Sequence, residues 1–146
     1  MNEPGTAKYL IFRTGEALQA LPAGQIREIV TDLPRFPVPF TPAWVRGVLN
    51  RHGEPFTILD IQMLLDGPPL DGRTYLLLNL ANDQIAILIS AVQEIINLPE
   101  TSLHAISSPD AAHACFQAVL STGGAEIPVL NLDHILTRMA EDVRAS

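Results

Sequence analysis

The chain has 146 residues, enough for one domain with a core that needs no disulfide staples, and its 47% apolar content excludes a disordered polymer. Its net charge of −7, with nine Lys and Arg in all, argues against nucleic acid and against anionic bilayers, since both reward a positive face. The lone Cys115 cannot form an internal disulfide, and Met1-Asn2-Glu3-Pro4-Gly5 lacks the basic and apolar regions of an export signal. A soluble cytoplasmic protein is therefore expected.

In chain order, the first strand run is Tyr9–Phe12, closed by a turn at Gly15-Glu16, and the next is Gln25–Val30. Leu33–Phe40, with Pro34, Pro37 and Pro39, must be extended, because each proline removes a donor and restricts the residue before it. Its two aromatics, Phe36 and Phe40, form either a lid on the core or an exposed docking strip. Thr41-Pro42-Ala43-Trp44-Val45-Arg46-Gly47 predicts a short helix with a threonine cap, proline at the first helical position and a terminal glycine. Trp44 would anchor that helix. Pro55–Ile61 is another strand run, and Gly67–Gly72 a connector.

Arg73–Leu80 and Gln84–Ser90 follow as strands, with Asn82-Asp83 expected to make the hairpin turn through positive φ. Ile85–Ile89 is apolar on both faces, as when one face fills a barrel and the other meets a neighbouring element. Val92–Leu98, Ala118–Ser121 and Ile127–Leu132 complete the strands, the last two joined at Gly123-Gly124. Polar breaks at Asn79, Asn82, Asp83, Gln84, Gln93 and Glu94 prevent Tyr75–Leu98 from crossing a membrane as one helix. The tail predicts a short helix from Asp133, a candidate cap, with Ile135, Leu136, Met139 and Val143 on one stripe.

The chain also repeats itself. A shift of 66 positions lays Tyr9-Leu10-Ile11-Phe12 on Tyr75-Leu76-Leu77-Leu78, Ala20 on Ala86, Ile26 on Val92 and Glu28-Ile29-Val30 on Glu94-Ile95-Ile96. With five further residues inserted, Val48-Leu49 falls on Val119-Leu120, Gly53 on Gly124, and Thr57–Ile61 on Pro128–Leu132. The expected fold is all-β with short helices: two similar small SH3-like barrels packed together within one domain spanning 1–146. The copies cover about 9–65 and 75–136 with a connector at 66–73, an arrangement that allows strands to be exchanged between barrels.

Little here asks for catalysis. Histidines 52, 104, 113 and 134 have no metal-site spacing, and His113-Ala114-Cys115 offers too few ligands, so neither metal nor cofactor is expected. There is no nucleophile elbow, phosphate loop or dinucleotide fingerprint. Single carboxylates such as Asp60 and Asp133 more often cap and turn than catalyse.

The stretch Thr41–Ile61 resembles the central motif of the CheW family of bacterial chemotaxis coupling proteins, whose domain also closes the kinase CheA: Gly-Val, then an Asn-x-Arg-Gly turn, then a Pro-x-x-Asp-Leu strand. Gln25–Ile29, Ile87–Ile95 and Val129–Leu136 resemble further family segments in order, so the likeness covers roughly residues 8–138. It implies two β-barrels without catalysis. One barrel would dock on a CheA-type histidine kinase, and the groove between barrels would receive the cytoplasmic tips of chemoreceptors, at arrays on the inner membrane. Ile26 and Gly47 match receptor-facing positions, and Tyr75 is a further candidate for the groove.

Three departures stand out. The family arginine that pairs with the carboxylate matching Glu28 is His52 here, with Arg51 one place earlier. Adjacent strand side chains face opposite ways, so a protonation-dependent Glu28–His52 pair is expected in its place. Thr57 replaces a proline, and Ser90 and Ala86 replace an aspartate and a glycine. These departures imply a divergent member, serving a pilus-motility (type IV pili) or accessory system. An adaptor, a regulator competing for the kinase or receptor, and a small β-barrel ligand-binding protein or enzyme are the readings left open.

Overall fold

The computed structural model describes residues 5–106 and 113–145, with side chains undescribed at 113 and from 143 on. Twelve strands appear: β1 (Thr6–Thr14), β2 (Ala17–Pro22), β3 (Ile26–Thr31), β4 (Arg35–Phe36), β5 (Val45–Arg51), β6 (Glu54–Leu59), β7 (Thr74–Leu78), β8 (Ile85–Ile89), β9 (Ala91–Pro99), β10 (Leu103–Ala105), β11 (Phe116–Thr122) and β12 (Ala125–Leu130). A single helical turn, α1 (Ile61–Leu64), follows β6, and a fourteen-residue helix, α2 (Leu132–Ala145), follows β12. All eight strand runs read from the sequence are present. The four missed are β2, β5 and the very short β4 and β10.

The strands form two six-stranded sheets, ordered β10-β11-β12-β2-β1-β9 and β4-β5-β6-β8-β7-β3. Adding six to each element number of the second sheet, or subtracting six where needed, turns it into the first. The β1–β2 hairpin therefore sits among β9–β12, and the β7–β8 hairpin among β3–β6. Register agrees as well. Leu10 faces Ile95 and Ile11 faces Glu94 in one sheet, while Leu76 faces Ile29 and Leu77 faces Glu28 in the other. The parallel insertions match too, Ala20 opposite Val129 and Ala86 opposite Ile58.

Alternation along the hairpin strands sorts side chains into three cores. Tyr9, Ile11 and Ala20 pack with Ala118, Leu120, Ile127 and Val129 inside one sheet. Tyr75, Leu77, Ala86 and Leu88 pack with Leu49, Phe56 and Ile58 inside the other. The opposite faces, Leu10, Phe12 and Leu21 with Leu76, Leu78, Ile85, Ile87 and Ile89, form a shared core between the sheets. This is why Ile85–Ile89 is apolar at every position: both of its faces are buried.

The helix expected over Thr41–Gly47 does not form. The Thr41 hydroxyl donates to the Val38 carbonyl at 3.1 Å and caps nothing; Val45 N–H closes one turn onto Pro42 O at 3.0 Å, and the chain then enters β5. Pairing of Val45, Val48 and Leu49 with β6 wins over the local capping signal. Trp44 lies in the shared core, and its indole N–H donates to Asp142 of α2 at 2.9 Å. It therefore ties β5 to the C-terminal helix and anchors no helix of its own.

Two smaller expectations also change. The β7–β8 connection through Asn82-Asp83 is a hairpin, but neither residue has positive φ. The cap of α2 is Asn131, whose side-chain oxygen accepts from His134 N–H at 3.2 Å, so Asp133 lies in the first turn, where its charge suits the helix N-terminus. Ile135, Leu136 and Met139 pack onto the shared core as the stripe predicts, and the side chain of Val143 lies outside the described residues.

Gly47 ends no helix; it lies at the bulge of β5, next to the unpaired Arg46, at φ +117°, and a Cβ there would collide with the Phe36 carbonyl of the neighbouring edge strand. Any side chain meets both a disallowed backbone and a blocked site. Gly47→Ala is expected to destabilise the fold by about 2 kcal/mol or more, read as a lower urea midpoint. An unchanged midpoint would refute this placement. For the same reason Gly47→Asp acts on folding, and a clean loss of partner binding in an intact protein is not expected from it.

Candidate functional site

The chemistry that stands out gathers at one end of the β3–β8 sheet. β5 and β6 are joined by His52-Gly53, at φ +53° and +80°, the same two-residue left-handed turn that Gly123-Gly124 makes between β11 and β12 at +57° and +80°. His52 therefore belongs to the turn tip, not to a strand face. The last strand residue is Arg51, which shares the inward face with Leu49. On β3, Glu28 shares a face with buried Val30.

The two meet. Arg51 Nε donates to both Glu28 oxygens, at 2.9 and 3.2 Å, and Nη2 also donates to Oε1. The expected Glu28–His52 pair is thus replaced by a bidentate Glu28–Arg51 pair, because the turn withdraws His52 from the strand. β3 is an edge strand and β5 lies four places across the sheet, so this contact also shows the sheet curling back on itself. Arg27 adds a looser pair with Glu54 at 3.5 Å and lies 6.0 Å from the Phe56 ring centroid.

A second ionic link lay hidden in the sequence. Asp60 is fully buried; its carboxylate accepts from Met63 N–H at 3.1 Å, capping α1, from Leu70 N–H at 2.9 Å, and from Arg46 at 2.7 Å. Arg46 also donates to the Leu70 carbonyl at 3.2 Å. Four hydrogen bonds among three segments thus fix the connector after α1, as a buried carboxylate requires. Asp60 was legible as a capping residue. Arg46 was not, because the helical reading of Thr41–Gly47 left its partner undefined.

Between the two sheets, β3 and β9 are both edge strands, and an apolar groove of about 270 Å³ lies there with Leu10, Ala23, Ile26, Ile29 and Ile95 in its lining. Leu10 is buried, whereas Ile29 and Ile95 are 40% and 56% exposed. Of the candidate receptor residues, Ile26 lies in this groove. Gly47 lies elsewhere, beside a small apolar hollow lined by Val38, Val45, Val48 and Met139. Tyr75 is 1% exposed inside the β3–β8 sheet and does not line the β3–β9 groove. Phe36 and Phe40, at 56% and 91% exposure, are a surface strip and not a lid.

Ser90, where the family pattern has aspartate, accepts from Gly15 N–H through its hydroxyl at 2.8 Å, tying the β1–β2 turn to the end of β8. Burial pushes the Cys115 thiol above its ordinary value, the opposite of what a reactive cysteine needs. Among the described residues no group of three or more His, Cys, Asp and Glu is placed to hold a metal, and no helix is long and apolar enough to cross a membrane.

The hydrogen bond from Arg51, and less so its charge, holds the Glu28 carboxyl below the ordinary value of 4.5. A depressed folded-state value means that the stabilisation is complete above about pH 4.5 and fades as pH falls through the folded value. A histidine partner would instead lose the pair as pH rose past neutrality. The Glu28 contribution, measured as wild-type minus Glu28→Gln melting temperature, should be flat from pH 6 to 8 and shrink only in acid; a decline between pH 6 and 8 would contradict the Arg51 pairing.

Comparisons with known proteins agree with this fold. The family model for the CheW-like domain matches residues 8–140. The chain is 25% identical over 138 residues to the chemotaxis protein CheW of Rhizobium meliloti (strain 1021), covering 90% of this chain and 88% of that one. Its fold resembles the crystal structure of the scaffolding protein TtCheW from Thermoanaerobacter tengcongensis, with a TM-score of 0.76 at 19% identity over 86% of this chain and 88% of the other. An all-β chain of two matched sheets, matched by the family model over nearly its whole length, belongs to the CheW-like domain family of non-catalytic scaffolds.

Proposed function

We propose that this protein is an adaptor that couples the cytoplasmic tips of chemoreceptors to a CheA-type histidine kinase, in receptor arrays at the inner membrane serving chemotaxis or type IV pilus motility. The observation that carries the receptor half is the groove between β3 and β9. Two exposed isoleucines flank a floor of buried Leu10, and an open apolar trough between rigid sheet edges suits the apolar face of an amphipathic helix. The tentative receptor set becomes Ile26, Ile29 and Ile95, with Gly47 and Tyr75 dropped for structural reasons.

The kinase half rests on the β3–β8 sheet, whose end is held by Glu28 and Arg51. The reading as a competing regulator drew on the His52 and Ser90 departures, and Arg51 removes the first of these. The matched strand order and register further support the inference that the chain is two copies of one unit, about 9–65 and 75–136, with their leading hairpins exchanged.

The test is co-sedimentation with chemoreceptor-bearing membranes and a CheA kinase. The wild-type protein should enter the pellet, recruit kinase and raise its phosphorylation. The double variant Ile29→Glu, Ile95→Glu should keep its melting temperature and its kinase binding but lose at least ten-fold in receptor binding. Normal coupling by that variant would refute the groove assignment, and lowered kinase recruitment by the wild type would favour the competing regulator.

A further inference from the structure

The opposite end of the β3–β8 sheet has a different character. Just beyond β3, a cavity of about 480 Å³ is lined by Asp32, Leu33, Pro34, Arg35, Arg73 and Tyr75. Two arginines in one small hollow are unusual for a chain with nine basic residues and a net charge of −7. Arg35 is held in place from β4, where Nη2 donates to the Gly72 carbonyl at 3.1 Å. Its other terminal nitrogen, Nη1, is buried and has no hydrogen-bond partner among the described residues. Arg73 makes no ion pair among the described residues, and its carbonyl is tied to Asp32 N–H at 2.9 Å, which fixes the rim. The Tyr75 hydroxyl likewise has no protein partner among them.

A buried guanidinium nitrogen without an acceptor is costly, and in native proteins such a group calls for a partner. The lining thus combines Arg35, held from one side and with a buried Nη1 that lacks an acceptor, a second guanidinium without an ion pair among the described residues, and a phenol. Asp32 supplies the only carboxylate in the lining, so two positive charges face one negative and the local balance stays cationic. Arginine's planar fork matches the oxygen spacing of phosphate and carboxylate groups. The other sheet provides a contrast. Tyr9 occupies the place of Tyr75 in strand order, yet burial and, after it, the nearby charge of Glu100 push the pKa of its hydroxyl above the ordinary value. That end would repel an anion.

We propose that the Arg35–Arg73–Tyr75 cavity is a binding site for a small oxyanion, a phosphate or carboxylate group carried by a free molecule. The site is separate from the β3–β9 groove and from the Glu28–Arg51 end, so an anion there would report to neither by direct contact. Its occupancy would hold β4, and with it the exposed Phe36–Phe40 strip, against the start of β7.

The probe is inorganic phosphate, with acetate as a second arm and chloride at matched ionic strength as the control, followed by NMR of the amides from Asp32 to Phe36 and of the arginine side-chain N–H groups. Saturable shifts confined to this region are expected. Arg73→Gln should weaken binding at least ten-fold without changing the melting temperature, because that side chain is exposed and supports no contact. Tyr75→Phe should weaken it by a smaller factor. Saturation with phosphate alone would assign a phosphate site, and saturation with acetate as well would extend it to carboxylates. Shifts no larger than those of chloride, or binding that survives Arg73→Gln, would overturn the proposal.

Discussion

The structure depends on one constraint: each leading hairpin is hydrogen-bonded into the sheet that the other half of the chain completes. β1 and β2 have ladders to β9 and β12, and β7 and β8 to β3 and β6. A two-stranded hairpin is marginal alone. Here it buries one face inside a sheet and the other between sheets, so separating the sheets would cost backbone pairing as well as apolar contact. At about 25 cal/mol per Å², the shared core formed by Leu10, Phe12, Leu76, Leu78, Ile85, Ile87 and Ile89 is a large part of the fold. The two edges β3 and β9 are thereby held at a fixed spacing, which is what a groove for a rigid helix requires.

The two sheets agree in backbone and differ in charge. Asp60 N–H donates to Trp44 O at 2.8 Å and Asn131 N–H to Cys115 O at 2.7 Å, at corresponding places. Yet the buried Arg46–Asp60 pair has Gln117 and Asn131 at the matching positions, and Arg51 has Thr122. Replacing both members of a buried ion pair with neutral groups avoids leaving either charge stranded. The β3–β8 sheet keeps the charged apparatus and the arginine-lined cavity, so the two sheets present unlike surfaces.

Much of this was readable because strand burial writes itself as alternation. The eight strand runs, the turn at Gly123-Gly124 and the doubly apolar Ile85–Ile89 all follow from periodicity and turn chemistry. β2 was missed because Ala17-Leu18-Gln19-Ala20 has little β-branched character, although Gln19 and Ala20 are both buried. β5 was hidden by Thr41-Pro42, which imitates a helix start and is overruled by pairing with β6. At the candidate site, Glu28 and Ile26 were legible from the family likeness. Arg51 was hidden because alternation along a strand extends only to Arg51, and at His52 the backbone turns left-handed. Ile95 and the arginine cavity depend on which distant segments meet, and no local pattern carries that.

The exchange of hairpins is tested most directly by dividing the chain in the connector and preparing 1–70 and 71–146 separately. Circular dichroism and urea unfolding should show no cooperative transition for either piece alone, and recovery of sheet content and a single transition when they are mixed in equal amounts. A 1–70 fragment that folds and unfolds cooperatively by itself would contradict the account.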